Sequence, residues 1–228
     1  MIYFDRKLFE KEVLMMNLGN VVIFGDSYST FKGFVPVGNA IYYNEETGET
    51  DVRKVEETWW HLLMKETGSN LVLNDSWSGS TICHTGYNNN DCSETSSFAH
   101  RLDKYIAEGF FEKNKIDTVF IFGGTNDDWA GSPIGELQYE DFKTQDLFNI
   151  LPAVCYMLDT LKKVAGNARI ILLINNPFKE EIEKGMIEAA NHYGVKHILF
   201  KDIDKIVGHP TIKGMAQIKE QILENLKG

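Results

Sequence analysis

The chain has 228 residues, of which 43% are hydrophobic and 25% are charged, as in ordinary globular proteins. Its formal net charge is -10, so a broad phosphate-binding surface would have to form against the overall field, and we expect no nucleic-acid partner. Its apolar runs are far shorter than the roughly 20 residues that a membrane-spanning helix needs. These properties favour one α/β domain without an integral membrane segment.

The first 20 residues mix charged and apolar side chains and lack the basic start and unbroken apolar stretch of a signal peptide. We therefore expect the product to be cytoplasmic. Met15 and Met16 lie just before the first predicted strand and offer alternative starts. Residues 1–18 are interpreted as an N-terminal extension and residues 19–228 as the folded domain. The sequence leaves open whether residues 1–14 belong to the native product.

Short apolar runs alternate with amphipathic segments along the chain, a pattern typical of a parallel sheet covered by helices on both faces. Strands are predicted at 21–24, 71–73, 118–122, 170–174 and 196–200. Helices are predicted at 58–66, 98–108, about 151–164, 180–193 and 211–226. The segments 31–57, 84–97 and 127–145 are predicted to be loops. In open α/β sheets such loops surround the ligand crevice at the carboxyl ends of the strands.

The first predicted strand is followed at once by Gly25-Asp26-Ser27, which places Ser27 in a tight turn at this edge of the sheet. A serine in that position can act as a nucleophile if a base lies within reach. The tripeptide is equally consistent with a plain turn that leads into a helix cap. Further residues at the same edge must therefore decide between the two interpretations.

Two later strand ends offer hydrogen-bond donors for a developing oxyanion. Gly79 follows the second strand and can present its backbone N–H without a side chain in the way, although most loop glycines are only turn residues. Asn126 follows the third strand and places a carboxamide at the edge that carries Ser27. A serine, a glycine and an asparagine at successive strand ends indicate the donor set of a serine esterase.

Among the six histidines, His209 alone falls in a loop between a predicted strand and a helix at this edge. Pro210 follows it and restrains the loop. A lone histidine is more often a surface or core residue than a catalyst, but its position here makes His209 the candidate base. We expect activity to fall as the pH drops through about 6.5, the ordinary pKa of imidazole.

These four segments resemble the consensus blocks of the SGNH hydrolase superfamily, the GDSL-like lipases and esterases, which supply Ser, Gly, Asn and His in this order. The resemblance covers nearly the whole chain. It implies a flavodoxin-like, three-layer α/β/α fold with a five-stranded parallel sheet. It also implies ester hydrolysis with Ser27 as nucleophile, His209 as base, and an oxyanion hole formed by the N–H groups of Ser27 and Gly79 and the amide of Asn126.

One position departs from the family pattern, because the acid that usually stands three residues before the histidine is replaced by Ile206. Asp204 is the preferred third member of the triad, and Asp202 is the alternative. A further alternative is a dyad in which a backbone carbonyl orients His209.

The expected substrate is a small ester with a short or acetyl acyl group, acetylated carbohydrates included. Trp77 and Trp129 adjoin two of the four segments and are candidate walls of the substrate pocket. An alternative function is a non-catalytic carbohydrate-binding module on a hydrolase fold, favoured by Ile206 and by the affinity of aromatic faces for sugars. Metalloprotease, P-loop and dinucleotide motifs are missing, and the three cysteines have no CxxC spacing, so no metal and no cofactor are expected. The oligomeric state is left open.

Overall fold

The five predicted strands form one parallel sheet in this computed structural model, which describes residues 17–46 and 48–227. They are β1 (Asn20–Gly25), β2 (Asn70–Ser76), β3 (Thr118–Gly123), β4 (Arg169–Ile174) and β5 (Lys196–Leu199). The strand order is β2-β1-β3-β4-β5, which is the flavodoxin-like order, so the fold prediction is confirmed. The order reverses between β1 and β3, and the crevice therefore opens where these two strands end. The predicted extension, residues 1–18, lies almost wholly outside the described residues.

Seven α-helices lie in the described part of the chain. They are α1 (Trp59–Thr67), α2 (Phe98–Ala107), α3 (Phe110–Lys113), α4 (Thr125–Ala130), α5 (Ile150–Val164), α6 (Glu180–His192) and α7 (Ile212–Leu226). Side chains of Thr58, Ser97 and Thr211 cap the first turns of α1, α2 and α7, and Gly194 has φ 62° beyond the end of α6. None of the helices in residues 17–46 and 48–227 is both long enough and apolar enough to cross a membrane.

The sheet is buried on both faces, because successive residues of a strand point to opposite sides. In β1, Val22 and Phe24 pack in the layer that contains α2, α5 and α6, whereas Val21 and Ile23 pack in the layer that contains α1 and α7. All four side chains are fully buried. This three-layer packing fixes the strand ends that carry the candidate site.

The segment 127–145 begins in a helix, so its prediction as a loop is wrong for its first residues. Gly124, at φ 96°, lets the chain turn directly from β3 into α4. Asp127 and Asp128 lie in the first turn, where negative charge suits the helix dipole. The turn brings Asn126 to the end of β3 in a fixed orientation.

A short antiparallel hairpin, β6 (Lys205–Ile206) and β7 (His209–Pro210), lies between the sheet and α7. Its two turn residues, Val207 and Gly208, have φ 48° and 77°, as in a type I′ turn. Positive φ is unfavourable for a β-branched residue, so Val207 holds a strained conformation at the point where the chain reverses. The hairpin carries His209 to the carboxyl edge of the sheet.

Candidate active site

Ser27 and His209 are in hydrogen-bond contact, although 182 positions separate them in sequence. Ser27 begins a short 3-10 helix directly after β1, and the carboxylate of Asp26 accepts the N–H of Tyr28 to cap it. The Nε2 atom of His209 lies 3.0 Å from the Oγ atom of Ser27. The structure therefore brings together the two residues that the sequence indicates as nucleophile and base.

The other ring nitrogen of His209 fixes its tautomer. Nδ1 lies 3.1 Å from the carbonyl oxygen of Val207. A carbonyl can only accept, so Nδ1 carries the proton and Nε2 is free to accept one from Ser27. Burial lowers the pKa of His209 below 6.5, and the charge of Lys205 adds to this, while the Val207 carbonyl and the charge of Glu49 oppose it. The imidazole is therefore neutral at neutral pH.

Asp204, predicted as the triad acid, does not contact the imidazole. Its carboxylate accepts the hydroxyl of Thr211 at 2.5 Å and lies 3.7 Å from the ammonium group of Lys213. The two-residue turn explains this placement, because it pairs Ile206 with His209 and leaves Asp204 opposite Thr211. Asp202, the alternative, is exposed. The geometry favours the third possibility, in which a backbone carbonyl orients the ring.

Two predicted oxyanion donors, the N–H groups of Ser27 and Gly79, have no acceptor within residues 17–46 and 48–227. Gly79 has φ 80°, and the space where its side chain would lie is open. The amide of Asn126 donates to the carbonyl of Ser80 at 3.0 Å and accepts the hydroxyl of Tyr87 at 2.9 Å. These two bonds orient the amide and leave its second hydrogen for a ligand.

A buried arginine ties the ends of β1 and β2 to the Gly79 loop. The Arg101 guanidinium lies 2.7 Å from the Asp75 carboxylate, and both side chains are at most 4% exposed. It also donates to the carbonyl of Gly25 and to the hydroxyl of Ser80, each at 3.2 Å. Sequence reasoning missed Arg101, which lies among apolar residues on the buried face of α2.

Two further carboxyl groups, those of Asp26 and Asp127, are buried next to Ser27 and Asn126 in sequence. Asp127 accepts the N–H groups of Ile82 and Cys83 at 2.9 and 3.1 Å, which fixes the segment after Gly79. Burial raises the pKa of Asp127 to about 6 and that of Asp26 to about 7. One oxygen of Asp26 has no partner among the described residues. Both groups therefore titrate in the same pH range as an imidazole.

Trp77 and Trp129 lie in different parts of the site. The Trp129 ring is 6.0 Å from the His209 ring and covers Gly208, where a β-carbon would lie 2.7 Å from it. Trp77 lines a groove of about 660 Å³ together with Ser96 and residues 78–79 and 86–92. Trp129 thus borders His209, and Trp77 borders the groove beside Gly79.

Tyrosines that sequence reasoning missed hold the histidine hairpin. Tyr28 donates its hydroxyl to the carbonyl of Gly208 at 2.5 Å, and Tyr43 donates to the carbonyl of Pro210 at 2.9 Å. Tyr42 stacks on the His209 ring with a centroid distance of 3.6 Å. The position of Tyr28 next to Ser27 was an available signal, whereas Tyr42 and Tyr43 lie in a loop that has no periodic pattern.

A serine hydroxyl on a neutral imidazole, at a sheet edge with N–H donors that have no acceptor in the described part of the chain, is the arrangement that serine hydrolases use. The sequence profile of the GDSL-like lipase/acylhydrolase family matches residues 19–226, so the chain belongs to this family. It is therefore a hydrolase of the esterase type. A search among curated proteins gave no match.

Solved structures agree with this assignment. A protein of Bacteroides ovatus described as a GDSL-like lipase is 45% identical with a TM-score of 0.84, covering 90% of this chain and 96% of that one. A protein of Bacteroides uniformis with the same description is 44% identical with a TM-score of 0.83, covering 90% of this chain and 94% of that one. An acetyl xylan esterase of Butyrivibrio proteoclasticus is 14% identical with a TM-score of 0.57, covering 92% and 64%, and shares the fold.

Proposed function

We propose that the chain is a serine esterase in which Ser27 and His209 form a catalytic dyad. The observation that carries this proposal is the 3.0 Å contact between Oγ and Nε2, with the opposite ring nitrogen held by the Val207 carbonyl. That carbonyl does the orienting work of a triad carboxylate but supplies no negative charge. Ile206 at the usual acid position is therefore compatible with catalysis, which removes the main argument for a non-catalytic module.

In the proposed mechanism, Nε2 of His209 accepts the hydroxyl proton while Oγ of Ser27 attacks the acyl carbon. The carbonyl oxygen becomes an oxyanion, held by the N–H groups of Ser27 and Gly79 and by the free amide hydrogen of Asn126. When this intermediate collapses, the alcohol leaves with the proton from Nε2. A water molecule then repeats both steps, releases the acid and restores Ser27.

Covalent labelling tests the nucleophile directly. A fluorophosphonate probe should modify the wild-type protein at Ser27, as located by mass spectrometry of the peptide that contains it. Labelling of another serine, or retention of the label in a Ser27→Ala protein, would overturn the proposal. Sugar binding without any labelling would support the binding-module alternative instead.

The pH dependence of kcat/KM follows from the environment of His209. The base must be neutral, so activity is expected to fall as the pH drops through a midpoint below the ordinary value of about 6.5. Burial of the imidazole is the main cause of this lowered pKa. Asp26 and Asp127 titrate in the same pH range, so kinetics alone cannot assign the midpoint. The ring signals of His209 should therefore be followed by NMR in parallel. A kinetic midpoint that differs from the NMR midpoint would assign the acid limb to another group.

The groove beside Gly79 supports a hydroxyl-rich leaving group, such as a sugar carrying an acetyl ester. Its lining combines Trp77 and Tyr87 with three consecutive asparagines, 88–90, and contains no aliphatic branched side chain. Amide groups suit sugar hydroxyls, and aromatic faces suit the C–H faces of sugar rings. The acetyl xylan esterase named above shares the fold, but at 14% identity the proposal depends on the groove itself.

Substitution in this groove should separate sugar esters from simple esters. Asn88 and Asn89 both have positive φ, so Asn89→Gly removes the amide while keeping the backbone conformation. We expect kcat/KM for an acetylated xylo-oligosaccharide to fall about 3- to 10-fold, with p-nitrophenyl acetate hydrolysis unchanged. Asn167→Gly, an exposed change at the opposite edge of the sheet, is the matched control. Equal losses on both substrates, or a preference for long acyl chains, would refute the sugar assignment.

A further inference from the structure

The ring of Tyr42 lies flat against the imidazole of His209. The two centroids are 3.6 Å apart, and the planes differ by 7°. Tyr28 and Trp129 also approach the imidazole, but edge-on, with centroids 5.5 and 6.0 Å away. Among the described residues, Tyr42 is thus the aromatic side chain that covers a face of the base.

The backbone holds Tyr42 in this place from both sides of the site. The N–H of Tyr42 donates to the hydroxyl of Thr30 at 2.9 Å, and that hydroxyl donates to the carbonyl of Ser27 at 3.1 Å. The next residue, Tyr43, is buried and donates to the carbonyl of Pro210, which follows His209. Hydrogen bonds therefore connect the Tyr42-Tyr43 segment to the turn that carries Ser27 and to the strand that carries His209. These bonds hold the Tyr42 ring in its stacked position.

A carboxylate acts on the far end of the Tyr42 ring. The hydroxyl of Tyr42 donates to the Glu49 carboxylate at 3.1 Å. Burial, together with this carboxylate, raises the pKa of Tyr42 to about 12, so the hydroxyl stays protonated and keeps donating. Such a hydrogen bond shifts electron density into the ring, which strengthens the negative potential of its face.

We propose that Tyr42, polarised by Glu49, is a positioning residue that holds the His209 ring plane and stabilises the imidazolium formed during catalysis. The inference rests on the proposed Ser27–His209 dyad and supplies the charge stabilisation that the Val207 carbonyl lacks. A cation over an aromatic face is favoured by the ring quadrupole, and the effect grows when water is excluded. The Glu49 carboxylate thus helps to stabilise the imidazolium through the Tyr42 ring, without contacting His209 itself.

Two charged groups have opposite effects on the protonation of His209. Glu49 favours the imidazolium, whereas Lys205, on the preceding strand of the hairpin, disfavours it. The ammonium group of Lys205 is fixed by the side chain of Asn175 at 2.7 Å and by the carbonyl of Asn176 at 3.0 Å. Because the fixed positive charge of Lys205 opposes protonation of His209, stabilisation of the imidazolium by the Tyr42 ring matters more in this site.

Variants that keep or remove the aromatic face test this proposal. Tyr42→Leu keeps the imidazole covered but offers no π face. We expect its kcat to fall about 5- to 30-fold and the acid-limb midpoint of kcat/KM to move about half a pH unit lower. Tyr42→Phe should restore most of the rate, and Glu49→Gln should produce a smaller shift in the same direction. Tyr139→Leu removes a similar stack, 3.7 Å from the ring of His192, and should leave the kinetic profile unchanged.

NMR titration of the His209 ring in the same variants gives a readout that does not require turnover. A lower His209 midpoint in Tyr42→Leu than in Tyr42→Phe supports the proposal, even if Ser27 fails to react with fluorophosphonate and the proposed function fails. Equal midpoints and equal rates in these two variants would overturn it. A loss of rate in Tyr42→Leu with an unchanged midpoint would also overturn it, because the residue would then act only as packing.

Discussion

Replacing Ser27 with alanine is expected to lower kcat for ester hydrolysis by about 10⁴-fold or more. In the proposed mechanism, this change removes the atom that forms the acyl-enzyme and leaves His209 without the hydroxyl that it would activate. Ser27 lies just after β1, and its hydroxyl bonds to the imidazole, so the substitution removes that bond without changing a side chain of the strand, and we expect the variant to fold. Initial rates with p-nitrophenyl acetate, measured beside thermal unfolding, check both expectations.

Ser93→Ala provides the control for this experiment, because Ser93 lies in the polar loop and has no contact with His209 among the described residues. Its rate should equal that of the wild type. If Ser27→Ala retained more than a tenth of the activity while folded, another nucleophile would have to be sought. An unfolded variant would instead be replaced by Ser27→Cys, whose thiol can be titrated to show that the site is intact.

Replacing Arg101 with leucine is expected to lower the free energy of unfolding by about 3–5 kcal/mol. The substitution leaves the Asp75 carboxylate buried without its partner, which is the costly way to break an internal ion pair. It also frees the carbonyl of Gly25 and the hydroxyl of Ser80 at the edge of the site. Urea denaturation gives the stability change, and activity should fall as well because these groups flank Ser27 and Gly79.

A double substitution separates charge burial from packing. Arg101→Leu combined with Asp75→Leu should be more stable than Arg101→Leu alone, since no buried charge is then left without a partner. Lys184→Leu is the surface control, because its pair with Glu180 is about three-quarters exposed and its loss should change stability little. If Arg101→Leu changed stability no more than Lys184→Leu did, the ion pair would not be a structural tie.

The sheet and the location of the candidate site were predictable because strong local signals specify them. Apolar runs such as 118–122 form central strands, and the polar residues that follow them must then meet at one edge of a parallel sheet. Arg101 was also within reach of sequence reasoning. It lies three residues after Phe98 and one before Leu102 on the apolar side of α2, where an unpaired charge would be too costly.

Sequence reasoning left the partner of the imidazole open among Asp204, Asp202 and a backbone carbonyl, and could not choose between them. The choice depends on a turn at Val207 and Gly208, and Val-Gly is not one of the sequences that favour a type I′ turn. The long loop that supplies Tyr42 has no hydrophobic period, so its path is set by tertiary contacts such as the bond from Tyr42 to Thr30. Local sequence preferences carry no information on contacts of this kind.

Position 207 shows how an orienting contact can be independent of side-chain chemistry. Every amino acid brings the same carbonyl, so no substitution there deletes the acceptor of His209, and no drop in pH can neutralise it as it would a carboxylate. Length is the sensitive property instead, because one residue added between Ile206 and His209 would shift the hairpin register and turn the acceptor away. In the proposed dyad, the geometry of the Val207-Gly208 turn therefore does what an acidic side chain would otherwise do.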